Sequence, residues 1–318
     1  MELISLGGTW IVLKVRHDLA MKYASEYENA AERVRAEYDV YEHLEKQPWS
    51  PYLCRSIYRT ERLHFLKLAS GGDLNQAIRK FQVRDPTNDR VVTSVSQHFE
   101  SALIYKWVDE ICAAAAWLEN QGLAHGDLRP ENILLTHDNS IKLTDFDNTL
   151  KIGQEVEVGG YPYVRELEEF GPIGPAGAQT EQFATGSIIF ILIVGHEPYE
   201  DQWFGKDGGE RHGLVVSRLL RLFQFPPVPE DNPSSEIIQN CWHGRYSTIA
   251  ALHEAMKACR SEHACSIGMD SSSDTADRAV RAGDTPEKLQ EMRLACIEMV
   301  DGGIEEQASR YLGLSSCM

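Results

Sequence analysis

One stretch constrains this chain more than any other. Residues 125–135 read HGDLRPENILL, and Asp145-Phe146-Asp147 begins ten residues later. Two short β-like runs, Ile133–Leu135 and Ile141–Leu143, are joined by His137-Asp138-Asn139-Ser140, a strong turn signal. The loop before this hairpin carries Asp127, a basic residue two positions on (Arg129) and an amide five positions on (Asn132). Asp145, just after the hairpin, can converge on the same spot. Oxygen ligands from Asn132 and Asp145 suit Mg²⁺, which keeps several waters and shares phosphate oxygens. Asp127 is then free to accept a hydroxyl proton, with Arg129 as the cation beside a moving phosphoryl group. Singly, each is an ordinary polar loop residue; together, at this spacing, they point to phosphoryl transfer.

The rest of the chain suits a folded protein of that kind. It has 318 residues, 42% apolar and 25% charged, which is globular composition. The net charge is −17, without the broad basic footprint of a nucleic-acid binder. No run approaches the roughly 18 apolar residues of a membrane span. The start, MELISLGGTW, lacks the basic and apolar regions of a secretory signal. Seven cysteines form no CxxC pair, so neither a disulfide framework nor a zinc ribbon is expected, and the chain reads as intracellular, cytoplasmic or nuclear.

The first 69 residues read as strands around one helix. ELISL, WIVLKV and LAMKYA are separated by Gly7-Gly8 and a polar break; residues 26–46 carry Val34, Tyr38, Tyr41 and Leu44 at helical spacing. Two further strand candidates, Tyr52–Tyr58 and Leu63–Leu68, precede a break at Ser70-Gly71-Gly72. Residues 70–262 read as mainly helical: Asp73–Phe81, Phe99–Asn120 stopped by Gly122, and the apolar Thr180–Val194, with 83–97 a polar loop. Residues 263–318 read as a flexible tail, MDSSSDTADRA being polar, with a short helix over Thr285–Val300.

The His125–Leu135 stretch resembles the catalytic loop of the protein kinases, H-R-D-x-x-x-x-N, and Asp145-Phe146-Asp147 resembles their D-F-G metal motif. The resemblance covers roughly residues 4–260 and implies an α+β, bilobal protein-kinase-like fold. Such a fold has a small antiparallel β-sheet lobe with one helix, and a larger, mainly helical lobe. It implies ATP and Mg²⁺ as cofactors and a protein hydroxyl, Ser or Thr, as acceptor. In that likeness Lys22, in Ala20-Met21-Lys22-Tyr23, positions the α- and β-phosphates and pairs with Glu37, Glu32 being a weaker match. Gly7 and Gly8 stand where a phosphate loop would be. His64–Leu74 resembles the strand and hinge that read adenine, with Leu66 as gatekeeper, Lys67 and Ala69 as hinge contacts and Asp73 as ribose partner. Val12 and Ala20 would roof the adenine and Leu134 would floor it. Asp127 and Arg129 would be catalytic, and Asn132 and Asp145 would hold the metal. Within the family the chain resembles small, divergent protein-kinase-like proteins of filamentous fungi, through HGDLRPENIL and the EQFA-GS run at Glu181.

The chain departs from the pattern in four places. Gly126 replaces the arginine before the catalytic Asp, which argues against a phosphorylation switch that uses that arginine. Asp147 replaces the D-F-G glycine. Gly7-Gly8 is not GxGxxG, and YPYVRELEEFGP stands where an activation segment would end. The alternatives are therefore a pseudokinase or nucleotide-binding scaffold, and a small-molecule kinase of the aminoglycoside or choline phosphotransferase type. Expected partners are ATP and an unidentified protein substrate, with neither nucleic acid nor membrane. Cys259, His263 and Cys265 match no zinc spacing, Trp203-Phe204 and Gly208-Gly209 read as surface loop, and Arg245 is a candidate partner for Glu166, Glu168 or Glu169.

Overall fold

The computed structural model describes residues 1–26, 30–169, 171–205, 212–266 and 284–314, with side chains described except over 262–266. The chain divides into two compact units: Met1–Ser70 with Asp145–Asp147 and Ser273–Met318, and Gly71–Thr144 with Asn148–Ser272.

The first unit opens with β1 (Glu2–Leu6), β2 (Trp10–Arg16) and β3 (Leu19–Ala24), followed by α1 (Ala30–Leu44), β4 (Ser56–Arg59) and β5 (Leu63–Lys67). The five strands form one antiparallel sheet in the order β1-β2-β3-β5-β4. Every residue of β3 is buried, so both faces of that strand are covered. Side chains alternate across a strand, which puts Leu19, Met21 and Tyr23 on one face and Ala20, Lys22 and Ala24 on the other. Val34, Glu37, Tyr38, Tyr41 and Leu44 line the buried face of α1 at three- and four-residue spacing. Trp10, Ala24, Val34 and Tyr38 pack together, placing α1 on the Lys22 face.

The second unit begins with α2 (Leu74–Arg79), capped by Asp73, whose Oδ1 accepts the Gln76 amide at 2.7 Å. A hairpin follows, β6 (Gln82–Asp85) and β7 (Asn88–Val95), where the sequence reads as a polar loop. Asp85 Oδ1 accepts the amides of Thr87 and Asn88 and closes the turn; Arg84 pairs with Glu200 at 2.6 Å. Only Val92 of β7 is buried, so no alternating apolar pattern marks the strand. Next come α3 (Ser101–Asn120), β8 (Leu123–Ala124), β9 (Ile133–Leu135), β10 (Ile141–Leu143) and β11 (Leu150–Lys151). β9 pairs antiparallel with β10, and β8 with β11. α4 (Ala178–Val194), α5 (His212–Arg221), α6 (Ser235–Trp242) and α7 (Ile249–Ser266) complete the unit. α4 is buried from Glu181 through Leu192 and ends at Gly195, whose φ of +91° suits glycine. Trp203 and Phe204 stack on His212, and Gly208-Gly209 lies outside the described residues.

Two C-terminal helices, α8 (Pro286–Asp301) and α9 (Ile304–Tyr311), belong to the first unit. Met292, Cys296, Ile304 and Ala308 are buried against Leu13, Leu19, Met21, Tyr23 and Phe65. The sequence reads here as a tail with one helix; among the described residues the structure has these two, because the sheet face opposite α1 is apolar and needs a cover. Full burial of a large apolar side chain contributes about 1.5–3 kcal/mol as an upper bound, which exceeds the preference of so short a helix for coil. The polar MDSSSDTADRA run, 269–279, lies outside the described residues.

Candidate active site

Each unit carries one set of polar side chains drawn from the motifs. In the first unit Lys22 stands on β3, directly opposite Val12 on β2 and His64 on β5. Its side chain is 5% exposed, and Nζ donates to Glu37 Oε1 and Asp145 Oδ1, both at 2.7 Å. Burial lowers the Lys22 pKa, but Asp145 and Glu37 outweigh it and hold the ammonium well above its ordinary value. Glu37 moves upward too: burial disfavours its charge and Asp145 repels it, against the pull of Lys22. Two carboxylates thus share one ammonium in a dry site. Glu32, the weaker candidate, is exposed in the first turn of α1, while Glu37 is fully buried.

Asp145 has φ +69° and continues into a short turn, Phe146–Asn148, in which the Phe146 ring meets Tyr41 of α1 edge-on at 5.2 Å. Asp147, where a glycine is expected, points its carboxylate inward. Thr9 Oγ1 donates to it at 3.0 Å and Arg33 lies 3.7 Å away. Burial, then repulsion from Asp145, raises its pKa. Thr9 directly follows the Gly7-Gly8 turn between β1 and β2, so Asp147 ties that turn to the metal-motif segment. Neither Thr9 nor Arg33 is signalled by any motif.

His64 is a further residue that no motif announces. It is fully buried among Trp10, Tyr38 and Tyr41, with Nε2 on the Ser56 hydroxyl at 3.0 Å. Burial, with Lys22 and Arg59 nearby, keeps it neutral. The expected adenine residues Ala20 and Leu66 are register partners on the Lys22 face, which Val12 shares. Lys67 is ion-paired with Asp284, just before α8, and Ala69 follows β5 half-buried.

In the second unit Asp127 and Asn132 are joined directly. Asn132 Nδ2 donates to the Asp127 backbone carbonyl and to Asp127 Oδ2, each at 2.9 Å. These bonds use the amide nitrogen and leave Asn132 Oδ1 as the oxygen available to a cation. Arg129 donates to Glu131 at 2.9 Å; burial lowers its pKa, but Glu131 more than compensates and it remains charged. The loop is held from below. Glu181, on α4, accepts the backbone amides of His125 at 2.9 Å and Gly126 at 3.1 Å, and His125 Nε2 bonds the Thr144 carbonyl at 2.9 Å. Gly126 has φ +78°, and a Cβ there would lie 2.3 Å from the Asn148 carbonyl oxygen. The missing arginine therefore has a local cause: no other residue type fits the backbone. Asp73 caps α2 and forms a β-bridge with Leu134, which joins the expected ribose and floor residues.

Other expectations resolve differently. Arg245 donates to Asn240 Oδ1 at 3.0 Å, and Glu169 pairs instead with Arg221 at 3.6 Å. Cys259 is buried near Ser234 and Tyr105, and the described residues hold no His/Cys/Asp/Glu cluster of three or more fit for a metal. The side chains of His263 and Cys265 lie outside the description. No helix among the described residues is long and apolar enough to cross a membrane.

Residues 11–256 match the family model of the protein kinase domain, and the chain belongs to that family. It is 30% identical over 208 residues to human 3-phosphoinositide-dependent protein kinase 1, a match covering 63% of this chain and 33% of that protein. It is 21% identical over 237 residues to CBL-interacting protein kinase 10 of Oryza sativa subsp. japonica, covering 67% of this chain and 47% of that one. A probable inactive serine/threonine-protein kinase of Dictyostelium discoideum is 24% identical over 159 residues, covering 48% of this chain and 12% of its own length. The chain spans about a third of the length of the phosphoinositide-dependent relative.

Proposed function

We propose that this chain transfers the γ-phosphoryl group of ATP, with Mg²⁺, to a hydroxyl of a protein substrate, Ser or Thr. The observation that carries this reading is the buried ammonium of Lys22, held at 2.7 Å by both Glu37 and Asp145. A charged lysine is costly in a dry strand unless it is used, and two carboxylates fix its position for phosphate oxygens. The donor set suits the cation: Asp145 offers carboxylate oxygen and Asn132 offers Oδ1, both hard oxygen ligands. Mg²⁺, when bound, neutralises phosphate charge. Asp127, oriented by Asn132, takes the acceptor proton, and Arg129 supplies positive charge to the phosphoryl oxygens. Gly7 and Gly8 leave the β1–β2 turn slim enough to approach the phosphates, with open space around the Gly8 Cα.

The test is thermal unfolding with and without Mg·ATP, followed by transfer of labelled γ-phosphate to peptide libraries. Ligand at about 100 times its dissociation constant adds roughly 2.7 kcal/mol. A magnesium-dependent shift lost in Asp145→Ala, with label appearing on Ser or Thr, is the expected result. Absence of any shift at millimolar nucleotide would sink the reading. The Thr9–Asp147 bond favours a second reading, a non-catalytic nucleotide binder whose phosphate-side turn is held down. That reading expects the shift without label transfer. Labelling of small alcohols in place of peptides would instead indicate a small-molecule kinase.

A further inference from the structure

The first unit contains an open groove of about 320 Å³ where the β4 edge of the sheet faces α8. Its walls carry three guanidinium groups, Arg55, Arg59 and Arg293, one carboxylate, Glu45, and the polar side chains of Ser56 and Gln290. Arg59 is satisfied within the protein: its two terminal nitrogens each reach a Glu45 oxygen at 2.8 Å. Arg55 and Arg293 have no carboxylate partner among the described residues. The groove thus holds two uncompensated positive charges on a chain whose net charge is −17.

Those two guanidiniums are also oriented. Arg55 lies over the Trp49 ring at 4.6 Å and Arg293 over the Tyr58 ring at 5.3 Å. With a ring against each guanidinium face, the N–H edges remain for an anion, apart from the long 3.5 Å bond that Arg293 Nη1 donates to the Ile57 carbonyl. An edge-on guanidinium matches two oxygens of a phosphate, and two such groups match a dianion better than a single carboxylate. α8 lies beyond residues 11–256, so one wall of the groove, Pro286, Leu289, Gln290 and Arg293, is built from sequence outside the kinase domain match.

We propose that this groove binds a phosphate dianion, free or borne on a side chain, through Arg55 and Arg293, and that docking of α8 on the sheet completes the site. Occupancy would then bridge β4 and α8 and slow the release of the C-terminal helices. The proposal does not depend on phosphoryl transfer at the Lys22 and Asp127 sites.

The probes are inorganic phosphate and a phosphoserine peptide, titrated into the full chain by calorimetry at constant ionic strength, with chloride and the unphosphorylated peptide as controls. Wild type is expected to bind phosphate, and Arg293→Gln, an exposed change on α8, to weaken it about tenfold or more. Arg55→Gln is expected to do the same, and Arg55→Lys to recover part of the loss. Hydrogen exchange across 286–301 is expected to slow with phosphate in wild type and not in Arg293→Gln. Tighter binding of the phosphopeptide than of phosphate, through the same arginines, identifies a phosphorylated side chain as the source; equal affinity identifies free phosphate. Phosphate binding that both arginine variants retain, as at the nucleotide site, would overturn the proposal, as would no binding beyond the controls.

Discussion

In the first unit Lys22 sits on a strand buried on both faces, and two carboxylates hold its ammonium at 2.7 Å. In the second, Asp127 sits half-buried on a loop and is held by the amide of Asn132 at 2.9 Å, while Glu181 grips the preceding backbone from α4. The first arrangement is made of charges that need one another; remove a partner and a buried charge is stranded. The second is made of hydrogen bonds to a loop whose shape α4 enforces. Substitutions in the first unit should therefore be felt as lost stability, and in the second as lost function with the fold intact.

The sharpest separation comes from Asp127→Asn. It keeps size and hydrogen bonding and removes only the carboxylate proposed as the base, so phosphoryl transfer is expected to fall about 10²–10⁴-fold. The melting temperature and the Mg·ATP-induced shift should stay near wild type. A large drop in melting temperature would break the comparison.

Next in size is a pair of alanine substitutions read by denaturant unfolding. Glu37→Ala leaves Lys22 in a dry site with Asp145 as its one remaining ion-pair partner among the described residues, and should cost about 3 kcal/mol. Asn132→Ala removes two hydrogen bonds made by a buried but uncharged side chain to the half-buried Asp127, and should cost about 1 kcal/mol. Equal costs would show that charge pairing is not what distinguishes the two sets.

How much of this was legible beforehand depended on the kind of signal. The strands and helices with clean periodicity, such as β3, α1 and α3, are readable from apolar spacing. β6 and β7 are not, because one buried residue, Val92, carries the hairpin and Asp85 closes its turn. The docking of α8 and α9 is likewise invisible: Met292, Cys296, Ile304 and Ala308 mark an amphipathic face, but not the sheet it covers. At the site, motif spacing names Asp145, Asp127 and Asn132 and the kinase resemblance adds Lys22 and Glu37; the structure joins Lys22, Glu37 and Asp145 in one unit and Asp127 and Asn132 in the other. Thr9, Arg33 and His64 are visible only through tertiary contacts: Thr9 and Arg33 meet Asp147, the first from 138 residues away, and His64 meets Ser56 on the neighbouring strand. In sequence Gly126 reads only as a lost arginine; its backbone conformation supplies the reason.

That reason is testable. Gly126→Ala places a Cβ at positive φ and 2.3 Å from the Asn148 carbonyl, where something must move. The left-handed conformation alone costs about 1–2 kcal/mol for a non-glycine residue, so a loss of about 2 kcal/mol is expected in denaturant melts. Gly126→Arg, which restores the usual kinase residue, should be at least as destabilising. A Gly126→Arg protein as stable as wild type would show that the loop accommodates a side chain and that the glycine is not required.

The smallest expected effect sharpens the account of the second unit, because there too one carboxylate is held by burial. Glu197, in the loop after α4, accepts the Tyr163 hydroxyl at 2.6 Å. Burial, opposed by that hydrogen bond and reinforced by Glu200 and Glu131, pushes its pKa up to about 7, well above the ordinary carboxyl range. Ionising it therefore costs more in the folded protein than in the unfolded chain. Its contribution to stability is fully present below pH ~4.5, declines as pH rises, and is lost above the folded value. Because the side chain is partly open to solvent, the expected decline is about 1 kcal/mol. Glu197→Gln accepts the same hydroxyl without a charge, so the wild-type minus variant difference in unfolding free energy should fall between pH 5 and 8. A flat difference would mean that Glu197 ionises as freely in the fold as in water, and that hydrogen bonding alone sets the surroundings of Tyr163.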